Sequence, residues 1–262
     1  MTAPRPAKPA GRNVAAGPNV VRQSRGGGGN SRRGFFLALL LVAVVGAFAI
    51  TRAVQNGSRT AAPIVVPPAT AAAGARPVGY TLGSPTAPVE ILEFADFECP
   101  LCGQYASVTE PDVRRQLIDA GLARYRILDI QVTQAHQNSP AASLAAACAD
   151  EQGKFWPMHD RLFEGQNDWN TQATNDPRPV FEGYAKQLGL DVTRWGQCYD
   201  GRKYLSRLAV NRAEADRVQI PGTPAFVIGD RLLQGTPTFD AIKAMVDSAR
   251  ARAGSAPPVA AR

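Results

Sequence analysis

The chain has 262 residues, with 29 Lys and Arg against 22 Asp and Glu, a formal charge of +7 and four cysteines. The charge is uneven: ten basic residues precede residue 90, where no acid occurs, leaving 19 against 22 in the remainder. A basic leader ahead of a slightly acidic body argues against nucleic-acid binding, which needs its positive patch on the folded domain.

Over residues 1–33 Pro, Gly, Ala, Ser and Arg dominate. This composition buries too little apolar surface to offset its ordering entropy, and a disordered cytoplasmic leader is predicted. Residues 34–51, GFFLALLLVAVVGAFAIT, are 18 consecutive uncharged, mostly apolar positions between Arg33 and Arg52. As a helix they measure about 27 Å, near the lower limit for a bilayer span. Seven basic residues stand in front (Arg5, Lys8, Arg12, Arg22, Arg25, Arg32, Arg33), a bias that keeps the N-terminus cytoplasmic and sends the C-terminal domain outward. Two readings are open: a transmembrane signal anchor, or a signal-peptide core cleaved near Ala47-Phe48-Ala49. Ser31-Arg32-Arg33 also looks like a twin-arginine signal. Under the first reading the domain is tethered to the cell membrane and faces outward; under the second it is periplasmic or secreted.

Residues 52–77 form a Pro- and Ala-rich linker expected to stay semi-extended. A single domain is predicted over 78–253, and 254–262 reads as a disordered tail. The domain opens with a short strand at Gly79–Leu82 and a turn at Gly83-Ser84-Pro85. A strand from Pro88 to Asp96 comes next, with Val89, Ile91, Glu93 and Ala95 on one face and Leu92 and Phe94 on the other. Being apolar on both sides, it belongs inside a covered sheet. A helix starts at Pro100, breaks near Pro111 and runs to about Ala120; Leu122–Val132 reads as a second core strand. Ser139-Pro140, a cap followed by proline, opens a helix through Gly153. Further helices are predicted at 157–164, 180–188, 192–199 and 203–218, then a hairpin of 225–228 with 231–233, and a covering helix over 238–251. The order is α/β with a helical subdomain inserted at about 138–218.

Cys99 lies where a core strand gives way to a helix, with Pro100 suited to the first helical turn. A sulfur there faces free backbone N–H groups and the positive end of the helix dipole, both of which favour thiolate. Cys99 is the predicted nucleophile, and Cys102, one turn inward, the resolving thiol. The competing reading of a C-x-x-C pair is a zinc half-site, which needs two more ligands. The other cysteines are 50 residues apart and the histidines are only His136 and His159. No metal or other cofactor is expected.

The stretch Val89–Cys102, ending Phe94-Ala95-Asp96-Phe97-Glu98-Cys99-Pro100-Leu101-Cys102, closely resembles the DsbA-like branch of the thioredoxin superfamily. So do Pro221-Gly222-Thr223-Pro224 before the strand Ala225–Ile228, and the block Gly153-Lys154-Phe155-Trp156 to Phe163; the resemblance covers about residues 79–250. It implies a thioredoxin-like fold with an inserted helical subdomain and a cis Thr223-Pro224 loop facing the cysteines. There the Thr223 backbone is free to pair with an extended substrate. It makes Glu93 a proton-handling group beneath Cys102, with pKa raised by burial; the alternative is that Glu93 is merely exposed. Asp96 and Glu98 read as surface charges. Cys148 and Cys198 sit in helical segments without an active-site signature and read as a structural disulfide pinning the helical block, two buried free thiols being the alternative. Phe155, Trp156, Phe163, Trp169, Phe181 and Tyr184 read as core packing, and His136 and His159 as solvated or capping residues.

The implied activity is thiol-disulfide exchange with exported protein thiols and disulfides, as an oxidase. Re-oxidation would fall to a membrane partner of the DsbB or vitamin K epoxide reductase type. Leu101 departs from the His of strongly oxidising members, which keeps a disulfide reductase, for example in cytochrome c maturation, as an alternative. A non-catalytic envelope binding module is the rival of another class.

Overall fold

The computed structural model describes residues 30–57, 64–67, 79–132 and 134–255. The expectations for residues 1–29, for most of the linker and for 256–262 fall outside them. The chain divides into two units, Met1–Arg59 and Thr60–Arg262. In the first, α1 (Asn30–Gly57) carries the uncharged run, with Phe35, Phe36, Leu40 and Val42 exposed. Among the described residues no helix is long and apolar enough to cross a membrane, so the anchor expected at 34–51 gains no support here.

The second unit is built on five strands: β1 (Tyr80–Leu82), β2 (Glu90–Ala95), β3 (Arg124–Asp129), β4 (Ala225–Ile228) and β5 (Arg231–Gln234), in the spatial order β1-β3-β2-β4-β5. The central pair β2 and β3 is parallel, with Glu93 opposite Ile127, and the remaining pairings are antiparallel. Gly229, at φ 63, supplies the left-handed residue that the tight β4–β5 turn needs. Alternation along β2 divides two cores. Ile91 and Ala95 join Tyr125, Ile127, Phe226 and Ile228 in the larger one, whereas Phe94 joins Leu128, Ala225, Ala215 and Ile220 on the other face. This is the two-sided burial expected of a parallel central strand.

Between β2 and β3 run α2 (Pro100–Val108) and α3 (Glu110–Val113), continued by one π-helical turn, Arg114–Ile118. Pro111, which has no N–H to donate, sits at the α2–α3 break. The insert between β3 and β4 comprises α4 (Ser139–Asp150), α5 (Phe155–Glu164), α6 (Gln166–Trp169), α7 (Arg178–Gln187), α8 (Val192–Asp200) and α9 (Leu205–Arg217). Its axis is α4, whose residues from Ser139 to Ala149 are all buried. A helix of mostly small residues, apolar all round, can be enclosed on every side; α5, α7, α8 and α9 all contact it. Trp195 and Trp169 are fully buried, and their indole N–H groups donate to the Ala145 and Leu162 carbonyls at 3.1 and 2.9 Å. α10 (Phe239–Ser255) closes the fold, packing on α3 and β4. Two details depart from the expectations drawn from sequence. Ser139 is the first helical residue of α4 and Asn138 holds the cap position, its amide bonding the Trp169 and Thr174 carbonyls instead of the helix. The short α6, which no periodicity announces, lies between α5 and α7.

Candidate active site

Cys99 occupies the N-cap of α2 in extended conformation (φ −70°, ψ 122°), its N–H donating to the Asp96 carbonyl at 3.0 Å. It is 7% exposed and Cys102 is fully buried; both are free thiols. A hydrogen bond from Cys102 is the largest influence on Cys99. Burial opposes it, while the Thr223 side chain and the N–H groups of Cys102 and Leu101 reinforce it, bringing the thiol down to about 6. Cys102 moves the other way, pushed well above the ordinary thiol value by burial, by its hydrogen bond to Cys99 and by the Cys99 charge. One sulfur is thus ionised at neutral pH and the other holds its proton. The Leu101 side chain between them points to solvent, 48% exposed.

The Thr223-Pro224 peptide bond is cis. As a thiol, Cys99 donates to the Thr223 carbonyl at 3.4 Å, which places this loop against the nucleophile although 124 residues separate them. The Pro224 carbonyl is taken by the Gly235 N–H at 2.9 Å.

Glu93 is 1% exposed and accepts a hydrogen bond from the Tyr125 hydroxyl at 2.5 Å; the Tyr105 hydroxyl lies 3.4 Å from that of Tyr125. Burial, followed by the Glu110 carboxylate, pushes Glu93 well above the ordinary carboxylate range, against the pull of the Tyr125 hydrogen bond. Its charge in turn raises Cys102, which puts the two groups within electrostatic reach. The exposed alternative for Glu93 is excluded.

Asp96 and Glu98 are not surface charges. Asp96 is fully buried and its carboxylate accepts the N–H of Glu98 at 2.9 Å and of Val132 at 3.3 Å, with His136 Nδ1 at 2.8 Å. Glu98, 4% exposed, accepts the N–H of Asn138 at 2.8 Å and that of Thr171. Backbone donors from the start and middle of the insert satisfy these carboxylates, so they act as braces for the turn that aims Cys99. The partner of His136 is therefore Asp96, whose hydrogen bond raises the imidazole pKa; His159 is buried as well.

Gln166, at the start of α6, is not among the residues that the sequence singles out. Its amide donates to the carbonyls of Phe97 at 2.7 Å and Cys99 at 2.9 Å. A Cβ on Gly103 would meet its Oε1 at 2.8 Å, so glycine at 103 makes room for this clamp. No sequence pattern marks it, since the contact to Cys99 spans 67 residues. Cys148 of α4 and Cys198 of α8 form a disulfide with Cα atoms 5.7 Å apart. Among the described residues no cluster of three or more His, Cys, Asp or Glu could hold a metal ion.

A low-pKa cysteine at a helix N-terminus, a buried partner thiol and a facing cis-proline loop, on this sheet with this insert, define the class: a thioredoxin-like fold with a cysteine pair at the start of a helix. The chain belongs to the thioredoxin family, whose model, described as Thioredoxin, matches residues 76–248. It is similar to Na(+)/H(+) antiporter NhaA 3 of Salinispora tropica, 36% identical over 174 residues, which cover 66% of this chain and 25% of that protein. It thus spans about a quarter of the length of the antiporters it matches. Disulfide bond formation protein D of Bacillus subtilis is 24% identical over 176 residues, covering 63% of this chain and 74% of that protein. Among solved structures, Wolbachia pipientis α-DsbA1 superposes with a TM-score of 0.61 at 18% identity, over 71% of this chain and 97% of that one, a likeness of fold.

Proposed function

We propose that the domain is an exported disulfide oxidase whose reactive centre is Cys99-Pro100-Leu101-Cys102. The carrying observation is the division of labour between the sulfurs: Cys99 near pKa 6 beside Thr223, and Cys102 buried and protonated. A substrate thiolate attacks the Cys99 sulfur of the oxidised pair, and Cys102 leaves and takes up a proton, Glu93 being the nearby acid. A second substrate thiol then displaces Cys99 from the substrate sulfur, releasing the substrate disulfide and the reduced pair. Thr223 and Pro224 hold the extended substrate chain, and Cys148–Cys198 serves a structural role only.

Substrates are exported protein thiols, with a membrane redox partner of the DsbB or vitamin K epoxide reductase type to re-oxidise the pair. Export is supported by the basic leader ahead of residues 34–51 and by a structural disulfide, which persists in oxidising compartments. Attachment to the membrane through residues 34–51 rests on the sequence alone. Leu101 favours a second reading, the same exchange run as a reductase, because no imidazole stands between the cysteines to stabilise the thiolate further.

A glutathione titration of the protein, following alkylation of Cys99 separately from Cys148 and Cys198, tests the assignment. A potential more oxidising than about −180 mV is expected, one near −250 mV or below means reductase, and a pair that never titrates retires the enzyme.

A further inference from the structure

Glu93 solves only half of a proton problem. Each time the Cys99–Cys102 bond is reduced, the Cys102 sulfur gains a proton, and each time the bond re-forms that proton must leave. Cys102 and Glu93 have no solvent of their own, and a substrate joined to Cys99 and lying on Thr223 covers the front of the site. A second buried cluster continues from Glu93. The Tyr125 ring, whose hydroxyl bonds Glu93, packs 6.0 Å from Trp156, which lies 5.1 Å from His159, and Glu110, a carboxylate 2% exposed, is the first residue of α3. Arg114 Nε bonds Glu110 Oε1 at 2.7 Å. Glu110 Oε2 and His159 Nε2 have no hydrogen-bond partner among the described residues, and the two atoms face each other at 3.8 Å. The other imidazole nitrogen, Nδ1, lies 2.8 Å from Asp160 Oδ1 and 3.3 Å from a guanidinium nitrogen of Arg114. Rings of Phe97, Phe155, Trp156 and Phe163 wall the imidazole at centroid distances of 4.9 to 6.0 Å.

Asp160 is where the cluster meets water. Its side chain is 44% exposed, and with Arg114 it lines a cleft of about 580 Å³ between the α2–α3 region and α5. Burial pushes the Asp160 carboxyl up, but hydrogen bonds from His159 and Arg114 outweigh it and hold the group below its ordinary range, ionised beside the imidazole. Through its two ring nitrogens His159 thus stands between a buried acid and a half-exposed one.

We propose that Glu110, His159 and Asp160 form the route by which the proton shared by Cys102 and Glu93 exchanges with solvent, emerging in the α5 cleft rather than past the bound substrate. The inference rests on the exchange chemistry proposed for Cys99 and Cys102 and adds positioning residues to it. One proton travels inward as Cys102 leaves the disulfide and one outward as Cys102 attacks a mixed disulfide on Cys99; the electrons stay with the sulfurs.

The test is single-turnover reduction of the oxidised full-length protein by a dithiol peptide, quenched with acid and read by alkylation, across about pH 5 to 9. Asp160→Asn alters a half-exposed residue and keeps the core; His159→Gln interrupts the route inside it. Each is expected to slow the step about tenfold near neutral pH and to reshape the pH profile. Added imidazole should restore the rate, and the glutathione equilibrium should not move, because a proton route changes rates alone. Profiles within about a factor of two of wild type overturn the route while leaving the oxidoreductase intact. So does a slowed Asp160→Asn protein that imidazole leaves unrestored, since that marks a packing defect. An inactive wild type retires the oxidoreductase and the route together.

Discussion

The two cysteine pairs have the same atoms and opposite fates. Cys148 and Cys198 lie on two contacting helices of the insert, both buried, and they are bonded to each other. Cys99 and Cys102 share one helical turn, face its free N–H groups and a carboxylate, and are thiols of unequal acidity. Burial does not distinguish the two pairs; the helix N-terminus at Cys99 does.

Removing the sulfurs of each pair in turn separates their roles. Cys99→Ser should reduce insulin reduction and RNase refolding to background with the melting temperature nearly unchanged, whereas Cys148→Ala/Cys198→Ala should keep the exchange chemistry. The double variant should lose up to about 4 kcal/mol in a urea melt, from the entropy of a loop of 50 residues. If it instead loses activity at temperatures where it is folded, the insert is coupled to the centre more tightly than this contrast allows. Glu93→Gln should slow turnover about a hundredfold, as expected for removing a group that handles a proton in the reaction. It should also lower the Cys102 pKa, which the Glu93 charge raises.

The smallest expected effect is on pH. Cys99 is depressed from an unfolded value of 9.0 to about 6. Its contribution to the stability of the reduced form is therefore absent below pH 6, grows between pH 6 and 9, and is complete above. At pH 7 this is of order 1 kcal/mol. Denaturation of the reduced and oxidised forms between pH 5 and 8, paired with Cys99 alkylation rates, checks both the sign and the midpoint; the oxidised form should lack this dependence.

Local features are legible in the sequence. The strand-to-helix junction at Cys99 and the β4–β5 hairpin each depend on a few adjacent residues, and they sit where proline, glycine and alternation put them. The faces of β2 are readable too, including Glu93 on the same side as Ile91 and Ala95. Groups whose surroundings come from elsewhere in the chain cannot be read this way. Asp96 and Glu98 have the composition of a solvated turn, and partners delivered from residues 132, 136, 138 and 171 make their burial tolerable. Of the partners of His159 only Asp160 is its neighbour in sequence, and Glu110 and Arg114 reach it from over 40 residues away.

The clamp of Gln166 over Gly103 carries a further consequence, one visible in descent rather than in a test tube. A side chain at 103 and a full-length amide at 166 compete for the same space, so neither position is free to drift alone. Lineages that replace the glycine with alanine should have shortened or lost the glutamine, and those that keep the glutamine should keep the glycine. The pair would thus be inherited as a unit, tying the history of the inserted helices to that of the cysteine-bearing one.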